Sequence, residues 1–313
     1  MSVLIDAERL RALTPWPMLI DALQSAFREP GEVPERLHFD IGGVGSLLIM
    51  PAWHQNGFLG VKIVQVFPGN SNMGKPTVDG MYMLASAANG EVLALIDAQE
   101  LTARRTAATS ALASRFLSRE SSRCLLVMGT GRLAFEVISA HASVRPIEQV
   151  WIWGRNPERA SSLSHRVNQT LGLHAAPVDS LERAISQADI ISTVTTAFDP
   201  ILPGRNVRPG THIDLIGGYT PSMREADDEV MRSADIYVDL LTSAVREAGD
   251  IVSPLERGVI ARSAIHGDLF DLCSGRAAKR SSDRAITVFK SVGLALEDLA
   301  AATLAWNTLS GRL

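Results

Sequence analysis

Beyond about residue 120 the chain alternates short apolar runs with longer stretches in which apolar residues return every three or four positions. SRCLLVMG is apolar on both alternating faces from Cys124 onward, as a strand covered on two sides of a parallel sheet must be. A helix is predicted over about 132–143. QVWIWG reads as the next strand. Asn156-Pro157 then opens a further helix, with proline in the first turn, where its missing N–H removes no bond. Short strands are predicted at 174–178, 189–194, 212–216 and 235–238, with helical segments between most of them. Strands alternating with helices predict an α/β fold with a doubly wound parallel sheet.

The first hundred residues have a different rhythm. Turn-rich pieces (GGVGS, PGNSNMG, SAANGEV) separate SLLIMP, LGVKIVQVF and GMYMLAS, which predicts an antiparallel or mixed sheet with helices at one side. The last stretch, AITVFKSVGLALEDLAAATLAWNTL, reads as a strand and a long helix that returns to the first domain. The expected division is a smaller α+β domain, 1–118 with 292–313, and a nucleotide domain, 119–291.

Composition adds mainly exclusions. The 313 residues, 46% hydrophobic and 20% charged, suit two globular domains. A net charge of −4 gives no electrostatic reason to expect nucleic acid or an anionic membrane as partner. No uncharged apolar run is long enough to span a bilayer. MSVLIDAERLRAL lacks the basic start and apolar core of a leader, so a cytoplasmic protein is expected. The two cysteines and seven histidines show no metal-ligand spacing, and no metal is expected. Cys124, inside an apolar strand, reads as a plain buried thiol.

Gly129, Gly131 and Ala134 form G-x-G-x-x-A directly after the first parallel strand, with Thr130, Arg132 and Leu133 completing the turn and the helix start. The glycines permit a tight turn and close approach to a pyrophosphate, and the helix start presents N–H groups to it. The strand before and the helix after make this a Rossmann-type nucleotide site. An acid at the tip of the second strand would bind a ribose 2′-OH and repel a 2′-phosphate. Here the tip reads Gly154-Arg155-Asn156. A guanidinium suits phosphate oxygens, so NADPH is expected, with NADH the alternative. The plainer reading of Arg155 is a solvated surface arginine. Thr193, Val194 and Thr195 fall at the carboxyl edge of another strand, where ligands of open α/β sheets bind.

Residues 97–118, DAQELTARRTAATSALASRFLS, are helical in composition from Leu101. Arg105 shares a face with Leu101, Ala108, Thr109 and Leu112, whereas Arg104 lies near Glu100 and Arg115 in a solvated arrangement. A guanidinium on a packed face requires an anionic partner. That partner is either a protein carboxylate or a substrate carboxylate, and the helix pattern leaves both open. Lys62, amid apolar residues of LGVKIVQVF, either snorkels at an edge or lines a cavity. Arg36, in VPERLHFD, lies in a loop entering a strand.

Taken together, GVKIVQVFPGN, ALIDAQELTARRTAATSALAS, MGTGRLA, IISTVTTA, DLIGGYTPSMREAD and ITVFKSVGLALEDLAAA resemble the ornithine cyclodeaminase/mu-crystallin family over roughly residues 30–310. The T-A-x-R-T-A-A-x-S-A block is the most specific part. The resemblance implies a homodimer built through the first domain and a nicotinamide cofactor in the Rossmann-type domain. It also implies that Arg36, Lys62 and Arg105 surround a substrate carboxylate, with Thr77 matching a pocket threonine. Lys62 and Arg105 become the expected catalytic residues, and Thr106 and Gly217 join the expected nucleotide contacts.

One departure directs the choice of reaction. Where cyclodeaminases carry an aspartate after the glycine pair, this chain has Tyr219. A phenol is a poor general base at neutral pH. The G-G-aromatic-T-P-x-M-R-E-A-D version resembles the branch that reduces cyclic ketimines, especially Δ1-pyrroline-2-carboxylate reductases. The expected substrate is that small cyclic imino acid, or the six-membered piperideine-2-carboxylate. Ornithine cyclodeaminase, alanine dehydrogenase and a non-enzymatic, crystallin-like NADPH-binding protein are the alternatives. The proton that reduction requires is expected from Lys62 or from an ordered water.

Overall fold

The structure, a computed structural model, describes residues 2–55 and 57–312. In chain order the elements begin with β1 (Val3–Ile5), α1 (Ala7–Leu13), α2 (Trp16–Arg28), β2 (Leu37–Asp40), β3 (Ser46–Trp53), β4 (Phe58–Val66), β5 (Val78–Ser86), β6 (Val92–Asp97) and α3 (Ala98–Leu117). They continue with β7 (Cys124–Met128), α4 (Arg132–Ala142), β8 (Gln149–Trp153), α5 (Pro157–Leu171), β9 (His174–Pro177), α6 (Leu181–Gln187), β10 (Ile190–Thr193) and β11 (His212–Leu215). Then come α7 (Asp228–Ser233), β12 (Ala234–Val238), α8 (Leu241–Glu247), α9 (Gly249–Glu256), β13 (Ile265–Asp268), α10 (Leu269–Ser274), β14 (Ile286–Lys290) and α11 (Ala295–Ser310). The chain forms two compact units, Met1–Thr109 with Gly293–Leu313, and Ser110–Val292.

The first unit is a mixed sheet in the order β1-β6-β5-β4-β3-β2, parallel only where β1 meets β6. Its long strands alternate, so adjacent residues face opposite sides. Met50, Ala52, Gly60, Lys62, Tyr82 and Leu84 lie on the buried face, and α11 packs across β3, β4 and β5. The opposite face carries Leu37, Ile49, Ile63 and Met81 as one row across four strands. Leu37, Ile63 and Met81 on that row are 51%, 42% and 42% exposed.

Arg104 departs from the solvated position that its helix neighbours predict. It is buried, donates through Nε to Thr14 Oγ1 and through Nη2 to the Thr14 carbonyl, and stacks over Trp16. Glu100 is buried too and pairs with Arg11. Helix spacing shows which residues of α3 are neighbours; it does not show that α1 and the start of α2 cover this side.

The second unit is an eight-stranded, wholly parallel sheet in the order β13-β12-β14-β11-β10-β7-β8-β9. Side chains of β7 divide between two apolar cores, Leu126 and Met128 in one, Leu125 and Val127 in the other. That is why the run had to be apolar throughout. The order reverses at β7 and β10, the place where such sheets leave a crevice beyond the strand ends. Asn156 caps α5 by accepting from the Arg159 N–H, and left-handed Gly172 ends it. Neither cysteine is in a disulfide; burial, then the neighbouring Asp189 charge, pushes Cys124 up to about 12.

Candidate active site

In the first unit three elements converge on a buried charge cluster. β4 is an interior strand, so Lys62 cannot snorkel at an edge; it is 2% exposed. Its ammonium lies 2.7 Å from Asp298 Oδ2 and donates to Thr102 Oγ1 at 3.3 Å. Arg105 of α3 donates through Nε to Asp298 Oδ1 at 3.0 Å and through Nη1 to Glu297 Oε2 at 2.5 Å. Both carboxylates lie in the first turn of α11, fully buried at its positive end, beside Leu294, which has no side chain able to cap.

Arg36, in the loop before β2, donates through Nη2 to the Gly293 carbonyl at 2.7 Å. Gly293 has φ +81°, and a Cβ there would stand 2.5 Å from Arg105 Nη1. The glycine therefore lets backbone lie against one guanidinium while its carbonyl holds the other.

This environment acts on the titrating groups. Burial draws Lys62 down to about 8; Asp298 opposes the fall, and Arg105 adds to it. Burial also works against the Arg105 charge, but Asp298 and Glu297 outweigh it and hold the guanidinium more firmly protonated than usual. Tyr82, the cross-strand neighbour of Lys62, is buried with its hydroxyl unpartnered among the described residues. Burial, then Asp298, raises it well above the ordinary phenol value.

Two points differ from the sequence-based expectation. Arg105 does not present its whole fork to a ligand, because protein acids take Nε and Nη1 and only Nη2 is left without a hydrogen bond among the described residues. Thr77 is exposed in the turn before β5, and its carbonyl accepts from the Phe67 N–H. Thr106 is buried on α3. Glu297 and Asp298 were missed as site residues. Two acids in a first helical turn carry the ordinary mark of a helix start, and that reading hides their burial.

In the second unit a crevice of about 870 Å³ opens beyond the carboxyl ends of β7, β8 and β10. Gly129, Thr130, Gly131, Arg155, Asn156, Val194 and Thr195 line it, as predicted residues brought together. Trp153, Arg159, Phe198 and Asp199 line it too and were not foreseen. Arg159 was legible in principle, one helical turn after Arg155.

Gly129 has φ +135°, and a Cβ would meet Val194 Cγ2 at 2.7 Å; a Cβ at Gly131 would meet nothing within 4 Å. The first glycine thus serves the turn, and the second leaves open space for a pyrophosphate. Gly154 has a steric reason as well, since its Cβ would reach Thr130 Cγ2 at 2.6 Å. The Asn156 side-chain oxygen is used by the cap, which leaves its amide N–H groups to donate. Arg155 and Arg159 are exposed and have no acid partner among the described residues. The residues present fit a dinucleotide.

Thr193 corrects a prediction. Its side chain is fully buried, with the hydroxyl donating to Glu225 Oε2 at 2.7 Å rather than facing the crevice. Arg132, Leu133 and Gly217 do not line the crevice either; Arg132 and Leu133 head α4 behind Gly131. Glu225, also unforeseen, accepts from the Thr195 N–H and hydroxyl at 2.7 and 2.8 Å and from the Gly217 N–H at 2.8 Å. One carboxylate thereby ties the segments after β10 and β11. Tyr219 is 44% exposed in the second of these. Among the described residues no group of three or more His, Cys, Asp or Glu is placed to hold a metal ion, and no helix is long and apolar enough to cross a membrane.

A sequence model of the ornithine cyclodeaminase/mu-crystallin family matches residues 7–312. The chain belongs to this family. The Δ1-pyrroline-2-carboxylate reductase of Colwellia psychrerythraea is 35% identical over 96% of each chain. The structure of Thermococcus litoralis Δ1-pyrroline-2-carboxylate reductase with NADH and L-proline is similar at TM-score 0.94 and 32% identity, covering 99% of this chain and 98% of that one. An archaeal alanine dehydrogenase dimer with bound NAD is similar at TM-score 0.92 and 30% identity, covering 100% and 97%. Like its relatives in the ornithine cyclodeaminase/mu-crystallin family, the protein is an NAD(P)H-dependent oxidoreductase with a Rossmann-type nucleotide unit.

Proposed function

We propose that this protein reduces Δ1-pyrroline-2-carboxylate to L-proline with NADPH, as a homodimer. The observation that carries the reading is the buried pair of cations, Lys62 and Arg105, on the shared carboxylate Asp298. A ketimine with a neighbouring carboxylate makes two demands on a protein: a fixed cation for the carboxylate and a proton for the imine nitrogen. Arg105 Nη2 and Arg36 answer the first. Charge-assisted bonds of this kind contribute about 1.5–3 kcal/mol each, and their larger effect is to fix the imine carbon in one position. Lys62 answers the second, because an ammonium drawn down to about 8 gives up a proton far more readily than an ordinary lysine. When bound, the reduced nicotinamide supplies the hydride that completes the new C–H bond.

Tyr219, in place of the cyclodeaminase aspartate, supports reduction over ammonia release. The L-proline and NADH held by the Thermococcus litoralis protein support proline as product and a nicotinamide as reductant. The choice of NADPH rests on Arg155 and Arg159, which flank the crevice where the adenosine ribose of a dinucleotide is expected. The exposed row Leu37, Ile63 and Met81 supports pairing with a second copy, since uncovered apolar sheet faces mark association surfaces.

The test is NADPH oxidation with Δ1-pyrroline-2-carboxylate, compared with NADH, with piperideine-2-carboxylate, and with pyruvate plus ammonia. Preferential turnover of the five-membered imine with NADPH is expected. Equal rates with both nucleotides would remove the Arg155 argument. Turnover of pyruvate and ammonia alone would make the protein an alanine dehydrogenase, and ammonia release from ornithine would overturn the reading of Tyr219.

A further inference from the structure

We propose that Asp298 is a positioning residue of the reaction: by bridging Lys62 and Arg105 it fixes the proton donor beside the carboxylate-gripping guanidinium and keeps that donor charged until substrate arrives. The inference rests on the reductase reading and assigns a role within the same site.

The geometry separates Asp298 from an ordinary counter-ion. Its two oxygens are divided between two different cations, Oδ1 to Arg105 Nε and Oδ2 to Lys62 Nζ. Glu297 pairs with Arg105 and acts on Lys62 more weakly than Asp298 does. Asp298 is fully buried at the start of α11, and the rigid helix sets its position against both β4 and α3. A single carboxylate that spans both cations fixes their spacing, and that spacing is what a substrate with its carboxylate next to C=N must match.

The groups facing Lys62 are Asp298 and Glu297 from α11, Arg105 and Thr102 from α3, and Tyr82 from β5. Among the charged groups, Asp298 is the nearest acid and Arg105 the opposing cation. Without Asp298, burial and Arg105 would act together to strip the lysine of its proton before it could be used.

The step balances as follows. Lys62 passes one proton to the imine nitrogen and is left as the neutral amine. That proton sits on the lone pair the imine nitrogen already carries; the carbon of the resulting iminium would accept the hydride that a bound reduced nicotinamide supplies, and the C=N π pair becomes the lone pair of the product amine. The lysine recovers its proton from solvent, and Thr102, half-buried and within hydrogen-bond distance of Nζ, is the first group on that path.

The chain has lysine only at Lys62, Lys75, Lys279 and Lys290, so side-chain NMR of lysine-labelled protein can follow Lys62 directly, without turnover. The wild-type Lys62 signal should titrate near 8. In Asp298→Asn it should move down by about one unit or more, and Asp298→Glu should restore part of the shift. Glu297→Gln should move it less. With substrate, the alkaline limb of the kcat/KM profile should follow the same order.

An unchanged Lys62 titration in Asp298→Asn overturns the inference. A wild-type Lys62 titrating near the ordinary lysine value of about 10.4 overturns it whether or not the variants fold. Failure of the wild-type protein to reduce the imine, with the titration shifts as expected, would instead overturn the reaction proposed above and leave the Lys62–Asp298 coupling standing.

Discussion

Burial draws the Lys62 ammonium down to about 8, so a group that must be charged to donate its proton approaches neutrality at the upper end of the physiological range. In the proposed reaction the active form is the protonated one. Imine reduction should therefore be level below that value and decline about tenfold per pH unit above it, as a pH series of kcat/KM would measure. Lys62→Met should lower kcat by a factor on the order of 100 or more while NADPH affinity, read by fluorescence titration, stays unchanged. A comparable argument applies to the two crevice arginines. Arg155→Ala and Arg159→Ala should each weaken NADPH binding about tenfold or more, the worth of a charge-assisted bond to phosphate. NADH binding should remain within about twofold, and Trp153, in the wall of the crevice, offers a fluorescence signal for both.

At the scale of elements, β11 carries His212 and Asp214 into the sheet interior, where α4 supplies His141. Asp214 accepts from His212 Nε2 at 3.0 Å and stands 2.7 Å from His141 Nε2; His212 Nδ1 meets Thr287 of β14. Burial lowers His212 below the ordinary imidazole value despite the opposing Asp214 charge. The unfolded chain therefore takes up a proton before the folded one does. The stability from a neutral His212 is complete above about 6.5 and is lost as pH falls toward the lower folded value. The melting temperature should drop on acidification from pH 7 to 5, and His212→Gln should flatten that part of the curve while costing about 1–3 kcal/mol at neutral pH. Strands such as β7 and β8 were legible because their side chains enter an apolar core on each face, which favours a near-continuous apolar run. The hydrogen bonds of Glu225 were not: its partners come from two strand ends distant in sequence, and nothing local in MREAD distinguishes a buried hub from a surface acid. Arg104 failed for the same reason, since Thr14 and Trp16 reach it from ninety residues away.

For the whole molecule, the mixed sheet of the first unit shields one face with α11 and leaves the row through Leu37, Ile49, Ile63 and Met81 uncovered. If the proposed homodimer forms through this row, Ile63→Glu should shift it to monomer in sedimentation velocity, because a second copy cannot bury that charge without a partner. The residue points away from Lys62, so the lysine titration should persist in the separated chain. The change of rhythm near residue 120 lies past the division of the compact units, which falls between Thr109 and Ser110 inside α3, and the buried acids that serve the first unit stand almost two hundred residues from Arg105, on a helix whose composition reads as plain core.

Gly293 has a practical consequence for comparing chains that share this architecture. A side chain there would be strained at φ +81°, and its Cβ would stand 2.5 Å from Arg105 Nη1, so the guanidinium would have to shift. Many proteins could keep the two units, the nucleotide turn and the long final helix while having lost their hold on an acid. A glycine at this junction, more than overall likeness, should separate sequences that still bind α-imino acids from those that have drifted to other work.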